Sequence, residues 1–292
     1  MRAFLIRRLL SFCAILPLPL AHFLGTCIGW GLILIPNDLL RISKINIPLC
    51  FPNLSAAQQR RLIRASLVEA GKTMTEAGAL WKWPASRLTT LIKDTSGEQF
   101  FHTAVAAGSG VIIATPHLGA WEMIGIYSSM HYPITSLYRP PRLIELADLV
   151  RRGRERFGAN LVAVDANGVR ALYHALARGE VIGMLPDQEP GAGNGIFTSL
   201  FGIPANTMVL LSRLAIKTGA KVIFCYAERL PRGRGYHIHF MPAPDEVNQA
   251  PLEQSVAVMN NAVESLIKQQ PEQYQWGYKR FRSRPEGESP IY

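Results

Sequence analysis

The sequence predicts an α/β fold, a central mixed sheet flanked by helices, with an N-terminal membrane-attachment helix. Three observations predict it: an uncharged stretch near the N-terminus, a long helical repeat behind it, and, after Gly110, short apolar runs alternating with helical segments. Leu9 to Asn37 contains no Asp, Glu, Lys or Arg and follows Arg2, Arg7 and Arg8. It is long enough to cross a bilayer, which takes about 20 residues as a helix, though Pro17 and Pro19 also suit a kink or a segment that only dips into the membrane. A basic start before an apolar run is also the mark of a cleaved signal peptide, but this run is long for one. Arg41, Lys44, Arg60, Arg61 and Arg64 follow the stretch, so flanking charge leaves its orientation open. The organisation predicted is residues 1–40 as membrane anchor and residues 41–292 as one catalytic domain.

From Ala56 to Leu80 apolar residues recur at helical spacing, giving an amphipathic helix that either lies near a membrane surface or packs its stripe on its own domain. Beyond Gly110, Val111 to Ala114, Leu161 to Val164, Val181 to Leu185 and Val222 to Tyr226 read as buried strands. Leu143 to Phe157, Val169 to Ala177, Met208 to Lys217 and Leu252 to Lys268 read as helices. The run Pro186 to Pro204, rich in glycine, is long for a connection and is a candidate functional loop.

With 31 Lys and Arg against 21 Asp and Glu, the net charge of +10 favours anionic partners. No helix-turn-helix, zinc-finger or RNA-recognition signature accompanies it, which argues against nucleic acid. Four cysteines without a CxxC spacing supply neither a disulfide framework nor a metal pattern, and the histidines show no metal-ligand spacing, so no metal is expected. His237 and His239 share one face of a predicted strand and read as structural.

Chemistry centres on His117 and Glu122. His117 follows the apolar strand in a turn holding Pro116 and Gly119, and Glu122 opens the next helix. In one regular helix the two side chains would diverge by about 140°, so contact requires the turn. Its carboxylate would then fix the imidazole tautomer and leave the other nitrogen free to take a proton. With seven histidines and 21 acidic residues in the chain of 292, chance alone predicts roughly half a match at this spacing, so the single one present decides nothing by count. Its position after a strand is what makes it chemical.

The blocks Pro-His-Leu-Gly-Ala-Trp-Glu (116–122), Tyr-Arg-Pro (138–140), Gly-Arg (153–154), Leu-Pro-Asp-Gln (185–188), Phe-Thr-Ser-Leu-Phe-Gly (197–202) and Pro-Glu-Gln-Tyr-Gln-Trp-Gly-Tyr-Lys-Arg-Phe-Arg-Ser-Arg-Pro (271–285) resemble, in order and across nearly the whole chain, the bacterial lipid A biosynthesis acyltransferases. These belong to the wider glycerolipid acyltransferase group with its His-x4-Asp/Glu motif. Glu122, where many glycerol phosphate acyltransferases carry aspartate, favours the lipid A branch.

The resemblance implies acyl transfer from acyl carrier protein to a hydroxyl of a phosphorylated lipid A precursor at the bacterial inner membrane, with the catalytic domain facing the cytoplasm and no cofactor. It makes His117 the general base, Glu122 its orienting acid, and Arg154 an oxyanion or substrate-phosphate ligand, with Arg139 a second phosphate candidate. Arg142, Arg151, Arg152 and Arg156 read as a solvated helix face. Asp187 would align an arginine, bind the sugar or cap its loop, with Gln188 beside it. Lys279, Arg280, Arg282 and Arg284 suit an anionic headgroup, the acidic carrier or a plain basic tail. Another anionic glycolipid or phospholipid acceptor, or a thioesterase on the same site, stands as the alternative.

Overall fold

A computed structural model describes residues 2–141, 143–191 and 193–292, the side chain of Arg2 excepted; Arg142 lies outside the described residues. The chain opens with helices α1 (Arg2–Cys13), α2 (Leu18–Leu34), α3 (Asp38–Cys50), α4 (Ala56–Lys82) and the short α5 (Ala85–Thr89). Then come β1 (Ile92–Ser96), α6 (Glu98–Ala106), β2 (Val111–Ala114), α7 (Trp121–His131), β3 (Ile134–Tyr138), α8 (Ala147–Glu155), β4 (Asn160–Ala163), α9 (Ala166–Ala177) and β5 (Val181–Met184). The chain ends with β6 (Gly195–Leu200), β7 (Ile203–Met208), α10 (Leu210–Thr218), β8 (Lys221–Arg229), β9 (Tyr236–Pro242), α11 (Glu246–Gln249) and α12 (Leu252–Gln269).

Seven strands form one sheet in the order β1-β9-β8-β2-β5-β3-β4, parallel throughout except for the antiparallel β8–β9 pair. The central strands read as unbroken apolar runs because helices cover both faces. Alternate residues therefore enter opposite cores. Ile112, Ala114, Ile182, Met184 and Phe224 pack on one face, and Val111, Ile113, Val181, Ile223 and Cys225 on the other. Burying each of the larger side chains is worth about 1.5–3 kcal/mol. Local signals set the helix starts: Ser55 and Gln58 form a reciprocal capping box at α4, and Asp165 caps α9 through the Gly168 amide.

Two expectations change. The N-terminal stretch is not one helix: α1 ends before Pro17 and α2 begins after it. No single helix among the described residues is long and apolar enough to cross a membrane. Only α2 and α3 together pass, as a pair bent by 82°. α2 instead packs along α4 at such close range that a Cβ on Gly71 would meet the carbonyl oxygen of Gly25 at 2.1 Å. The 186–204 run, expected as a loop, contains β6, which pairs antiparallel with β7; its polar, glycine-rich composition hid a hairpin.

Candidate active site

Parallel neighbours β2 and β5 end side by side, so residues that follow each strand meet although 70 positions separate them. The Thr115 amide donates to the Met184 carbonyl at 3.0 Å, carrying the pairing one step past β2. His117 comes next, and Asp187 faces it. The carboxylate accepts the His117 amide on Oδ2 and pairs with Nδ1 through Oδ1, both at 2.9 Å. Burial would raise the Asp187 carboxyl, but the His117 charge and the two hydrogen bonds outweigh it and hold it below its ordinary range. An ionised carboxylate only accepts, so Nδ1 is the donor and, in the neutral imidazole, Nε2 is the nitrogen that keeps its lone pair. The Gln188 amide nitrogen lies 3.2 Å from Nε2 and donates to it.

The turn carrying His117 is held on three sides. Gly119 has φ 59°, and a Cβ there would sit 2.0 Å from the Ala227 carbonyl oxygen, so glycine is required. Ala120 donates to that carbonyl at 2.8 Å, Gly119 to Gln273 at 3.1 Å, and Gln275 to the His117 carbonyl at 3.1 Å. Arg229 reaches the Gly119 carbonyl at 2.8 Å from a buried network in which Glu76 is its main partner and Glu69, His22, Tyr236 and Thr73 make further polar contacts.

Glu122 does not take the role expected of it. It lies in the first turn of α7, yet no hydrogen bond joins it to the imidazole; Asp187 occupies that position. Glu122 instead accepts two-pronged bonds from Arg154, in the last turn of α8, and one from Trp81 Nε1 at 3.2 Å. Burial opposes its ionisation, but Arg154 outweighs it, helped by Trp81 and His117, and keeps the carboxyl below its ordinary range. Glu122 and Arg154 line a cavity of about 90 Å³ whose other walls are mostly apolar, among them Ile113, Ile124, Leu137, Leu161 and Met184.

Of the remaining predicted residues, Arg139 is exposed and makes no hydrogen bond among the described residues, and Gln188 is partly buried. The helix-face reading is mixed: Arg151 pairs with Glu155 at the surface, whereas Arg156 donates to the Leu80 carbonyl. The C-terminal basic run is not a free tail. Arg280 is buried on the Asn206 carbonyl and Thr207, Arg282 holds Glu189, and Arg284 donates to the Pro204 carbonyl. Sequence reasoning missed Trp81, Glu76 and Arg229, for which no local motif signals a role, and assigned none to Gln273 although it lies in the 271–285 block. Among the described residues one trio has metal-ligand geometry, Glu228 with His237 and His239, and none of them belongs to this site.

The sequence profile of the bacterial lipid A biosynthesis acyltransferases matches residues 1–283. The chain belongs to that family. It is 31% identical over 285 residues to the lipid A biosynthesis palmitoleoyltransferase of Escherichia coli (strain K12), covering 95% of this chain and 90% of the relative. Similarity extends to the lauroyltransferase of the same strain, at 29% over 278 residues with 95% and 90% covered, and to its myristoyltransferase, at 24% over 256 residues with 86% and 78% covered. These three relatives are named for three different acyl chains, so membership of the family leaves the chain length open.

Proposed function

We propose that the protein transfers a fatty acyl group from an acyl carrier protein thioester to a hydroxyl of a phosphorylated lipid A precursor, with His117 Nε2 as general base. The Asp187–His117 hydrogen bond carries this reading, because it leaves Nε2 as the basic nitrogen. The acceptor hydroxyl takes the place of the Gln188 amide and gives its proton to Nε2 as its oxygen bonds to the thioester carbon. Asp187 stabilises the imidazolium. The tetrahedral oxyanion then collapses, the carbon–sulfur bond breaks, and the thiolate leaves with the proton from Nε2.

Arg154 is the group we assign to the oxyanion or to an acceptor phosphate, and Glu122 fixes its guanidinium. The apolar cavity beside that pair suits the start of the acyl chain. Arg139, exposed after β3, suits a second phosphate contact. The net charge of +10 suits both an acidic carrier and an anionic lipid surface.

Residues 1–40 serve as the membrane attachment of a catalytic domain formed by residues 41–292, at the cytoplasmic face of the inner membrane. Exposed Phe4, Phe12, Ile15, Phe23, Trp30 and Leu34 support attachment by an apolar surface, with Arg7 and Arg8 beside it.

The test is acyl transfer by the purified full chain from defined acyl carrier protein donors to a lipid A precursor, read by product mass. His117→Ala should lose about 10²–10⁴-fold in rate while remaining folded, with a lowered unfolding midpoint because the buried Asp187 carboxylate loses its partner. A variant rate close to wild type would sink the mechanism, and acyl release that ignores the acceptor would make the enzyme a thioesterase.

A further inference from the structure

Across the antiparallel β8–β9 pair, outside the His117–Asp187 pair, three metal-ligating side chains converge. His237 and His239 are two apart on β9 and so share a face, and Glu228 stands directly across from His237 on β8. Their donor atoms all lie within 4.8 Å of one another. The two imidazole rings approach to 3.9 Å between centroids at 32°, a spacing that disfavours two positive charges and suits two neutral ligands sharing one cation. His239 Nε2 is 3.0 Å from Glu228 Oε2. His237 Nε2 is 2.7 Å from Ser96 Oγ and 3.8 Å from the more exposed Asp94 carboxylate on β1.

We infer that Glu228, His237 and His239 form a binding site for one zinc-class divalent cation, pinning the end of β8 to β9. Two imidazoles and a carboxylate are the donor set of three-ligand zinc sites that keep a fourth position for water, and nitrogen donors select zinc over magnesium. Zinc–ligand bonds near 2.0–2.2 Å set tetrahedral donors roughly 3.3 Å apart. Closing from a spacing of 4.8 Å or less asks for side-chain adjustments of up to roughly 1.5 Å. The groups have that freedom: side-chain exposures are 20% for His237, 19% for His239 and 20% for Glu228, open enough for entry.

The surroundings preorganise one ligand. Tyr226 stacks flat on the His239 ring at 4.5 Å and 10°, and its hydroxyl is tied to Gln269 Oε1 at 3.0 Å. The residue before Glu228 is Ala227, whose carbonyl holds the Ala120 amide behind the His117 turn. A cation here therefore braces the strand end on which that turn rests, without touching a reacting group.

The experiment is Zn²⁺ titration of the chelator-stripped full chain by calorimetry, with Co²⁺ substitution followed by visible absorption. One equivalent should bind with the d–d bands of a low-coordinate nitrogen–oxygen site. The double variant His237→Ala/His239→Ala and the isosteric Glu228→Gln should each weaken binding at least tenfold. Mg²⁺ should not compete. No stoichiometric binding by the wild type, affinity unchanged in both variants, or equal competition by Mg²⁺ would each overturn the site. Acyl transfer is not the readout, so failure here leaves the proposed chemistry untouched.

Discussion

Two arginine–glutamate pairs lie within reach of the His117 turn, and they do different work. Arg229 and Glu76 are each 2% exposed at the side chain, and the remaining polar atoms of the network are met by Glu69, His22, Thr73, Tyr236 and the Gly119 carbonyl. Arg154 and Glu122 are 34% and 13% exposed and border a cavity. The first pair is closed on every side, so any gain it brings must come from fixing backbone, because burying two charges costs about as much as their attraction returns. The second has an open side and can meet a ligand. Enclosure, not residue type, separates a brace from a site.

The strongest way to break this contrast is to open the closed pair. Arg229→Gln leaves the Glu76 carboxylate buried without its main partner and should cost about 3–5 kcal/mol of stability, read by denaturant unfolding. Burial works against the Glu76 charge, but Arg229 and His22 prevail and bring its pKa down to about 2, from 4.5. A depressed folded value contributes stability above pH 4.5 that disappears as pH falls towards 2. In Arg229→Gln the Glu76 value should rise, so its protonation in the folded state begins at higher pH and the acid dependence tied to this group shrinks. An unfolding midpoint within about 1 kcal/mol of wild type would mean the network does not hold the turn.

A smaller effect of opposite character is expected at the open pair. Arg154→Gln should lower turnover about 10²-fold, comparable to removing one oxyanion donor, and should lower stability by less than Arg229→Gln does, because water can reach the Glu122 carboxylate it leaves unpaired. If turnover survives but the Michaelis constant for the phosphorylated acceptor climbs tenfold or more, Arg154 binds ground-state phosphate instead. Loss of stability matching that of Arg229→Gln would erase the distinction between the pairs.

The sequence announces these two regions unequally. Val111 to Ala114 and Val181 to Leu185 stand out as strands because burial on both faces makes them continuously apolar. β3, with Thr135 and Ser136 in its middle, carries no such signal. His117 and Glu122 are visible as a motif. The partner of the imidazole is not, because Asp187 reaches it only once β2 and β5 are neighbours, a fact of strand order rather than of spacing. A five-residue interval suggested Glu122, whose position in the first turn of α7 aims it at α8 and α4 instead. Arg229 and Glu76, 153 positions apart, leave no local trace at all. Pro17 foretold a break in the N-terminal apolar stretch, but the packing of α2 on α4 follows from contacts between segments that composition does not record.

The finest discrimination between the pairs comes from one methyl group. Gly153 precedes Arg154 inside α8, where alanine would raise helix propensity by about 1 kcal/mol. A Cβ at that position, however, meets the Trp81 Cβ at 2.6 Å, and Trp81 is also the donor that steadies Glu122. The helix must therefore back away from α4 and carry Arg154 off the carboxylate. Gly153→Ala should lower kcat/KM about tenfold, since a misplacement of around 1 Å is enough to cost a positioned group its effect, while stability stays within about 1 kcal/mol as propensity offsets the lost contact. Rates equal to wild type, with the same midpoint, would show that the Arg154–Glu122 pair tolerates displacement and that its open side is not tuned to a ligand.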